Sequence, residues 1–483
     1  MRDALRACLH SLEQGRLPEL EALDPIAAEP ALATRAALAE ALAFPELAHR
    51  SADWAPALLL SALPAFGTHS LAALAALCAE RGARLDLSQA PTLPALLGAS
   101  HFAARQLLLD PGRLDWLKAA LPPAPDADPL ATPLPSSWEE LRSEKYRGLL
   151  RIAARDLAGR PFRDGLRELS DLADRSLCAA LALAAQETRA PTPSLLALGK
   201  LGGRELNFSS DVDLLFVYSV PPDASAAAHH EQVALLVQRL KSALEEPTGQ
   251  GFGYRVDLDL RPEGRSGVVA NPVDAALAYY ESFGAEWERQ MLIRLRPVAG
   301  PPEPAQRFQR EIQPFVYRRS IDPSILTRVR QMKERIESER SSDGRDVDSN
   351  LKEGRGGIRD VEFLVQALQL FHGGRHPALR TGNVLDALEA LARLSLLSEQ
   401  AAAELAHCYL WLRRAEHALQ LDDERQTQSF PQRRQAQCAL ARRLLDADPD
   451  REAARVRLLD SWTRVRSAVR RHFDELVLEE AAR

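Results

Sequence analysis

The stretch LGKLGGRELNFSSDVDLLFVYS, residues 198–219, decides the fold. An apolar run over 194–198 leads into it and predicts a strand, which a turn rich in glycine follows. A second run over 212–218 predicts another strand, with Asp211 and Asp213 at its head. Because alternate side chains of a strand share a face, we expect these two carboxylates to point the same way.

This pairing of a glycine turn with an Asp-x-Asp strand indicates a particular chemistry. Neighbouring carboxylates repel each other unless a divalent cation lies between them, and Mg²⁺ is typically held by one or two carboxylates plus substrate phosphates. Gly199, Gly202 and Gly203 let backbone N–H groups approach a phosphate closely. Either feature alone is usually an ordinary turn or a solvated strand end, but together they suit phosphoryl or nucleotidyl transfer.

A third strand is predicted by the stretch GYRVDLDLR at 253–261, where Asp257 and Asp259 share one face. A helix over about 226–246, capped by Ser225, separates it from the second strand. A carboxylate on this strand would complete a two-metal site. Arg261 follows immediately and suits either a phosphate or a solvated salt bridge.

Two further segments carry basic residues. LKEGRGGIRD at 351–360 places a glycine turn before a helix that begins near Ile358, so we expect free backbone amides and an anion site there. The stretch WERQMLIRLRPVAG at 287–300 predicts a helix with Arg289, Arg294 and Arg296 toward its C-terminal end. The helix dipole favours arginines at that end, and substrate contact is the alternative.

These motifs resemble the nucleotidyltransferase fold of the polymerase-β type. Their amino-acid sequences resemble even more closely those of the family of bifunctional glutamine synthetase adenylyltransferase/adenylyl-removing enzymes. The resemblance is carried by residues 149–159, 199–216, 254–267, 287–300 and 351–366. It implies an α+β fold that is mostly α-helical, with a small polymerase-β-type nucleotidyltransferase sheet embedded between helical bundles.

The long form of that family carries two nucleotidyltransferase halves. One transfers AMP from ATP to a tyrosine of glutamine synthetase, and the other removes it by phosphorolysis, with inorganic phosphate entering and ADP leaving. This chain holds one constellation, and GRELNFSSDVDL resembles the N-terminal, adenylyl-removing half. The resemblance therefore implies removal of AMP from adenylylated glutamine synthetase, in the control of nitrogen assimilation, with a PII signal protein as a partner.

Other readings stay open. The chain is alternatively an enzyme that adenylylates glutamine synthetase from ATP, or one that adds UMP to a PII protein. A non-catalytic PII-sensing module that keeps the fold is the third alternative, although two unshielded carboxylates held together argue against a dead site. Dependence on a nucleoside triphosphate would separate addition from removal.

The resemblance also implies roles for individual residues. Asp211, Asp213 and Asp257 are expected to be catalytic and to hold Mg²⁺ as the cofactor. Asp259 stands where the family usually has a basic residue, and it is a possible ligand in place of Asp257 because both are expected to face the same way. The residues expected to bind nucleotide or phosphate are Lys200, Gly202, Gly203, Arg204, Ser210, Arg261, Lys352, Gly356 and Gly357.

Composition limits the remaining possibilities. The 483 residues are ample for two or three domains, and a net charge of −6 argues against a nucleic-acid binder. Five scattered cysteines predict reduced thiols, and with no signal peptide or bilayer-spanning run we expect a cytoplasmic protein without a membrane partner. The expected domains are a helical region over 1–120, a Pro/Asp-rich linker over 121–136, a catalytic core over 137–300 and a C-terminal helical domain over 301–483. The 351–360 loop of that last domain is expected to return to the active site.

Overall fold

The computed structural model describes residues 7–8, 10–12, 28–118, 133–318, 349–444 and 450–481. They form a mostly helical structure with one mixed five-stranded sheet, so the predicted mostly helical α+β class is confirmed. Most of the predicted linker over 121–136 lies outside the described residues. Among the described helices, none is both long and apolar enough to cross a bilayer.

Helices make up most of the described chain, as its many Ala, Leu and Arg residues favour. Those before the sheet are α1 (Ala28–Leu42), α2 (Pro45–His49), α3 (Ser51–Leu59), α4 (Pro64–Glu80), α5 (Leu93–Ala99), α6 (His101–Leu109), α7 (Leu114–Lys118), α8 (Trp138–Leu157) and α9 (Phe162–Thr188). Those between strands are α10 (Gly199–Gly202), α11 (Ala226–Glu245), α12 (Val273–Phe283) and α13 (Glu286–Leu292). Those after the sheet are α14 (Pro302–Glu311), α15 (Gln313–Val316), α16 (Ile358–His372), α17 (Val384–Arg393), α18 (Glu399–Asp423), α19 (Arg434–Leu444) and α20 (Arg451–Ala481).

The sheet contains both parallel and antiparallel pairs. Its strands are β1 (Ser194–Ala197), β2 (Val212–Tyr218), β3 (Val256–Asp257), β4 (Asn271–Pro272) and β5 (Arg296–Ala299). The order is β3-β2-β1-β5, and β4 also pairs with β2. β1 runs antiparallel to β2 and β5, whereas β3 and β4 run parallel to β2. The predicted first and second strands and the helix α11, with Ser225 as its N-cap, are all present.

The described residues divide into two compact units, each assembled from several stretches of chain. The first contains those of Met1–Ala124, Leu149–Gly165 and Arg413–Val465. The second contains those of Pro125–Gly148, Leu166–Leu412 and Arg466–Arg483, which include the whole sheet and the 351–360 loop. The second unit therefore extends past residue 300, where the sequence predicted a boundary.

The first unit is joined by polar contacts near the start of α6. Ser100 Oγ accepts a hydrogen bond from Ala103 N at 3.0 Å and donates one to Leu421 O at 2.6 Å. Asp422 contacts His101 Nδ1 at 2.7 Å and Arg443 Nη2 at 2.9 Å. Burial works to raise the pKa of Asp422, but these two partners outweigh it and lower the pKa. The contacts fasten helices from both ends of the chain within this unit.

The core of the second unit lies against the sheet. β2 is buried along nearly its whole length, and Leu215 and Val217 belong to the same apolar cluster as Tyr280 of α12 and Phe308 of α14. Burying a large apolar side chain contributes about 1.5–3 kcal/mol. The strand that carries Asp213 is therefore anchored by its own C-terminal half, which fixes the position of the carboxylate.

β3 is much shorter than the predicted strand over 253–261. It ends at Asp257, because the side chain of Asp257 accepts a hydrogen bond from Asp259 N at 2.7 Å and turns the chain. The backbone N–H and C=O groups on the outer edge of β3 form hydrogen bonds with side chains of helix α11. Glu245 Oε1 accepts from Val256 N at 3.0 Å, and Lys241 Nζ donates to Val256 O at 2.5 Å. Two residues of strand are thus held firmly on both sides.

The helix predicted over 287–300 is only half correct. α13 ends at Leu292, and Arg296–Ala299 instead form β5, which pairs with β1. Pro297 lacks the N–H that a helix interior requires, so the chain leaves the helix before reaching it.

Candidate active site

Two cross-strand pairs, Asp213 with Asp257 and Asp211 with Arg255, form the candidate site at the start of the parallel strands β2 and β3. Asp213 lies opposite Asp257 in the register, and Val212 lies opposite Val256. One step earlier, Asp211 Oδ1 accepts a hydrogen bond from Arg255 Nε at 2.5 Å. The structure therefore brings Asp211, Asp213 and Asp257 to one end of the sheet, as the sequence predicted.

The pKa of Asp213 departs clearly from its ordinary value. Burial raises its pKa to about 6, and the nearby charges of Asp257 and Asp211 add to this rise. The positive charges of Lys352 and Lys200 act in the opposite direction. Both predicted lysines therefore lie within electrostatic reach of Asp213, although they come from the glycine turn and from the 351–360 loop.

Gly199 allows the turn to pass directly over this carboxylate. It has φ +52°, and a Cβ atom built on it would lie 1.9 Å from Asp213 Oδ2. Leu198 N also donates to Asp213 O at 2.9 Å. Only glycine fits both the backbone conformation and the close approach at position 199.

Gly202 and Gly203 are required by packing rather than by a free anion-binding backbone. A Cβ atom on Gly202 would lie 1.9 Å from Arg294 O, and one on Gly203 would lie 2.7 Å from Gly382 O. Their amides donate to Leu198 O at 2.8 Å and Gly199 O at 3.2 Å. Both amides are therefore occupied by backbone carbonyl groups, and phosphate binding by Gly202 and Gly203 stays a prediction.

A side chain distant in sequence holds the same turn. Asn383 Nδ2 donates to Gly203 O at 3.1 Å, while Asn383 Oδ1 accepts from Leu385 N and Asp386 N and so caps α17. Arg296 makes two hydrogen bonds to Asp174, at 2.8 and 2.9 Å, and donates to Leu201 O at 3.0 Å. The glycine turn is thus fixed from both sides, by Asn383 and Asp174, which no sequence motif marked, and by Arg296.

A buried ionic network lies beneath the turn. Arg294 Nη2 is 3.0 Å from Glu362 Oε1 and 3.6 Å from Glu205 Oε2, and Tyr409 donates to Glu205 Oε1 at 3.2 Å. Burial works to lower the pKa of Arg294, but Glu362 and Glu205 outweigh it and raise the pKa. The network connects the glycine turn to α16, the helix that follows the 351–360 loop.

The arginines expected near the phosphate have protein partners. Arg204 lies 3.6 Å from Asp171 and 4.0 Å from Asp174. Arg289 donates to Phe315 O at 2.7 Å, with its guanidinium 4.3 Å from the centre of the Phe315 ring. Arg294 and Arg296 are held in the contacts above, so substrate contact by these four residues stays a prediction.

Arg261 organises the loop that follows β3. Its guanidinium donates to the carbonyl oxygens of Leu258, Arg265, Gly267 and Val268, at 2.8–3.1 Å. These backbone contacts differ from the solvated salt bridge that was one of the two expectations for Arg261. A role in binding phosphate stays a prediction for Arg261.

Ser210 and Asp259 are two further predicted site residues with defined contacts. Ser210 Oγ accepts a hydrogen bond from Asn207 N at 3.1 Å and so shapes the approach to Asp211. Asp259 lies past the end of β3 and contacts Arg265 Nε at 2.7 Å. Of the two candidates for the third carboxylate, Asp257 is the one that stands in register with Asp213.

The 351–360 loop is stabilised internally. Gly356 N donates to Asp360 Oδ2 and Gly357 N to Gly354 O, each at 2.8 Å. Gly356 has φ +73°, and a Cβ atom there would lie 2.3 Å from Arg466 O of α20. The expected free amides are therefore absent at these two glycines, and Lys352 is the residue through which the loop acts on Asp213.

The donor set suits Mg²⁺ in a limited form. A half-buried carboxylate beside two others gains from a cation, and Asp213 with Asp257 matches the one or two carboxylates that Mg²⁺ typically uses. Within the described parts of the chain, however, no three His, Cys, Asp or Glu side chains converge closely enough to form a complete metal-binding group.

Several of these residues carry a weak sequence signal. Arg255 precedes Asp257 by two positions, so strand alternation alone places it on the same face. Gly199 was part of the glycine turn but received no individual role. Asn383, Glu362 and Asp174 become neighbours of the turn only through folding, and no local pattern in the sequence marks them.

Comparison with known proteins gives matches to two family models. The model of the family described as "Glutamate-ammonia ligase adenylyltransferase" matches residues 92–311, which contain the whole sheet. The model described as "GlnD PII-uridylyltransferase" matches residues 329–477. The first match covers the carboxylate strands, and the second covers the helical part that follows.

The curated relatives that match this chain share one name. The chain is 40% identical over 361 residues to the bifunctional glutamine synthetase adenylyltransferase/adenylyl-removing enzyme of Stenotrophomonas maltophilia, which is 71% of this chain and 38% of that protein. It is 38% identical over 375 residues to the enzyme of the same name from Thioalkalivibrio sulfidiphilus, which is 74% of this chain and 36% of that protein. The chain therefore spans well under half the length of these relatives. These matches identify the chain as a relative of the glutamate-ammonia ligase adenylyltransferase family, over 71% of its length in the first comparison.

Proposed function

We propose that this chain removes AMP from the adenylylated tyrosine of glutamine synthetase by phosphorolysis. The observation that carries a phosphoryl-type reaction is the in-register pair Asp213 and Asp257 beside Asp211, with Lys200 and Lys352 acting on the same carboxylate. The direction of the reaction rests on the resemblance of residues 203–214 to the removing half of the family. The names of the relatives, which include both activities, support the substrate.

The reaction exchanges one bond for another at a single phosphorus atom. An oxygen of inorganic phosphate attacks the phosphorus of the AMP group, and the bond from that phosphorus to the tyrosine oxygen breaks. The products are ADP and the unmodified tyrosine side chain of glutamine synthetase. Phosphate is already an anion, so the step requires no general base. Positioning and electrostatic stabilisation are then the main contributions of the protein.

The residues of the site fit these requirements. Lys200 and Lys352 supply positive charge where two anionic groups must meet. Gly199 leaves room over Asp213, and the contacts of Asn383 and Arg296 keep the glycine turn rigid. A Mg²⁺ held by Asp213 and Asp257, with Asp211 beside them, would neutralise charge on the AMP phosphate and on the leaving oxygen.

A direct test incubates the chain with adenylylated glutamine synthetase and Mg²⁺, with and without inorganic phosphate, and measures ADP. We expect ADP only with phosphate, and loss of it in the variant Asp213→Asn. The control is Asp223→Asn, which changes an exposed aspartate past the other end of β2. ADP formation that survives in Asp213→Asn would refute the site assignment.

Addition of a nucleotide is the second candidate. The match to a PII-uridylyltransferase model favours regulation by a PII protein, but it begins at residue 329 and so lies outside the carboxylate strands. We therefore propose PII as a regulatory partner rather than as the substrate. Incorporation of AMP from ATP into unmodified glutamine synthetase, or of UMP into PII, without any phosphate-dependent ADP would overturn the proposed direction.

A further inference from the structure

Arg255 places a positive charge directly against the first aspartate of the site. Its Nε donates to Asp211 Oδ1 at 2.5 Å, and its carbonyl oxygen accepts from Val212 N at 3.0 Å. The two side chains are 34% and 31% exposed, so solvent screens their attraction only in part. The backbone pairing of β2 with β3 therefore fixes both partners of this ion pair.

The guanidinium has further anchors beside the aspartate. Nη2 donates to Ser209 O at 2.9 Å and to Ser209 Oγ at 3.1 Å. The guanidinium carbon lies 5.6 Å from the centre of the Phe252 ring, a ring that Lys145 also approaches, at 4.4 Å. Arginine fits this place because its planar fork serves several acceptors while it lies near an aromatic ring.

The two cross-strand pairs of the site differ in charge. The Asp211–Arg255 pair is neutral, whereas the Asp213–Asp257 pair carries two carboxylates with the lysines as outer neighbours. A divalent cation shared by all three carboxylates would lie next to a guanidinium that already contacts one of them. The guanidinium of Arg255 and the divalent cation would repel each other when both lie next to Asp211, so they compete for this carboxylate.

We propose that Arg255 is a positioning residue that occupies Asp211 in the cation-free protein and releases Asp211 Oδ1 when a divalent cation binds the three carboxylates. It thereby sets the affinity of the site for the cation and limits carboxylate repulsion while the cation is absent. This inference rests on the proposed function for its assignment of Asp211, Asp213 and Asp257 as cation ligands. It adds a residue that weakens binding rather than one that strengthens it.

The test measures Mn²⁺ binding, by electron paramagnetic resonance of free Mn²⁺, in the absence of any substrate. The variants are Arg255→Gln and the matched control Arg239→Gln. Arg239 donates to Glu187 at 2.6 Å, is 36% exposed and lies 5.4 Å from the Trp138 ring, so its surroundings resemble those of Arg255 at a distance from the carboxylates. We expect Arg255→Gln to bind Mn²⁺ about tenfold more tightly, because one repelling charge is gone, and Arg239→Gln to bind like the wild type.

Thermal unfolding supplies a second readout that a purely structural role would not reproduce. Without Mn²⁺, Arg255→Gln should unfold at a lower temperature than the wild type, because the hydrogen bond and the charge that Arg255 brings to Asp211 are lost. With saturating Mn²⁺ the difference should disappear or reverse. A variant damaged only in its packing would remain less stable under both conditions.

Three outcomes would overturn the inference. Weaker or unchanged Mn²⁺ binding by a folded Arg255→Gln would mean that Arg255 does not compete for Asp211. If that variant does not fold, Arg255→Lys serves instead, since it keeps the charge but loses the bonds to Ser209. We expect Arg255→Lys to bind Mn²⁺ roughly threefold more tightly than the wild type. An unchanged or lower affinity for Mn²⁺ in Arg255→Lys would contradict the inference. Absence of Mn²⁺ binding in the wild type would refute the ligand assignment made under the proposed function, so the two failures are distinguishable.

Discussion

Asp213 lies opposite Asp257 in the parallel pairing of β2 with β3, whereas Asp259 has already left the strand and contacts Arg265. This relationship separates two aspartates that sequence alternation treats as equivalent. It also gives each of them a different expected contribution to activity.

Replacing the third carboxylate should therefore distinguish these two positions. We expect Asp257→Asn to lower phosphate-dependent ADP formation by roughly 100-fold or more, since it removes a charge beside Asp213. Asp259→Asn should lower it only a few-fold through loss of its contact with Arg265. Rates of ADP formation at saturating Mg²⁺ would check both values, and the reverse order would identify Asp259 as the ligand.

The pH dependence of stability should reveal the burial of Asp213. Its pKa is raised from 3.8 to about 6, so the folded state binds this proton more tightly than the unfolded state does. Its contribution to stability is therefore fully present below about pH 4 and lost as the pH rises through 6, by about 3 kcal/mol in total. Urea unfolding of the cation-free protein should show Asp213→Asn gaining on the wild type over this range.

A matched cation experiment would extend that result. Ionised Asp213 is the form that binds a cation, so Mg²⁺ should stabilise the wild type more at pH 7.5 than at pH 5. The Asp213→Asn variant should show little stabilisation at either pH. Equal stabilisation of both proteins would place the cation elsewhere.

Gly199→Ala should damage activity beyond its cost in stability. The added methyl would lie 1.9 Å from Asp213 Oδ2 and so must displace that carboxylate. Gly82→Ala is the control, because Gly82 also has positive φ, at +70°, but its Cβ would meet nothing within 4 Å. We expect about 1 kcal/mol lost and normal ADP formation in Gly82→Ala, but a larger loss and little activity in Gly199→Ala. Comparable activity in the two variants would refute the close approach.

Removing the buried Arg294 should destabilise the second unit strongly. Arg294→Met removes the positive charge that Glu205 and Glu362 share, and breaking a buried ion pair in this way typically costs about 3–5 kcal/mol. Adding Glu362→Gln should recover part of this loss, since one uncompensated charge is removed. Chemical unfolding of the single and double variants measures the coupling, and a double variant that is no more stable than Arg294→Met would contradict the network.

Much of the fold follows from local sequence patterns. β1, β2 and α11 were predictable because apolar runs and a serine cap coincide with the elements. β5 was not, because Arg296 and Pro297 disguise a strand that exists only through pairing with β1. The early end of β3 depends on a single hydrogen bond from Asp259 N to the Asp257 side chain.

The candidate site was predictable where spacing along one strand determines it. Asp211, Asp213 and Asp257 follow from the Asp-x-Asp pattern and the expectation of neighbouring strands. The glycine turns were assigned to phosphate, whereas the structure shows that close packing requires Gly202 and Gly203. Contacts such as Asn383 to Gly203 join residues far apart in the chain, and the sequence alone does not indicate them.

The contacts of α11 with β3 have a consequence for self-association. Val256 is an edge residue whose outward N–H and carbonyl groups are both taken, by Glu245 and Lys241. An edge strand with free groups is a template onto which a strand from another molecule can add. Here two charged side chains close that template, so the active end of the sheet is protected from intermolecular strand exchange at the edge nearest to Asp257.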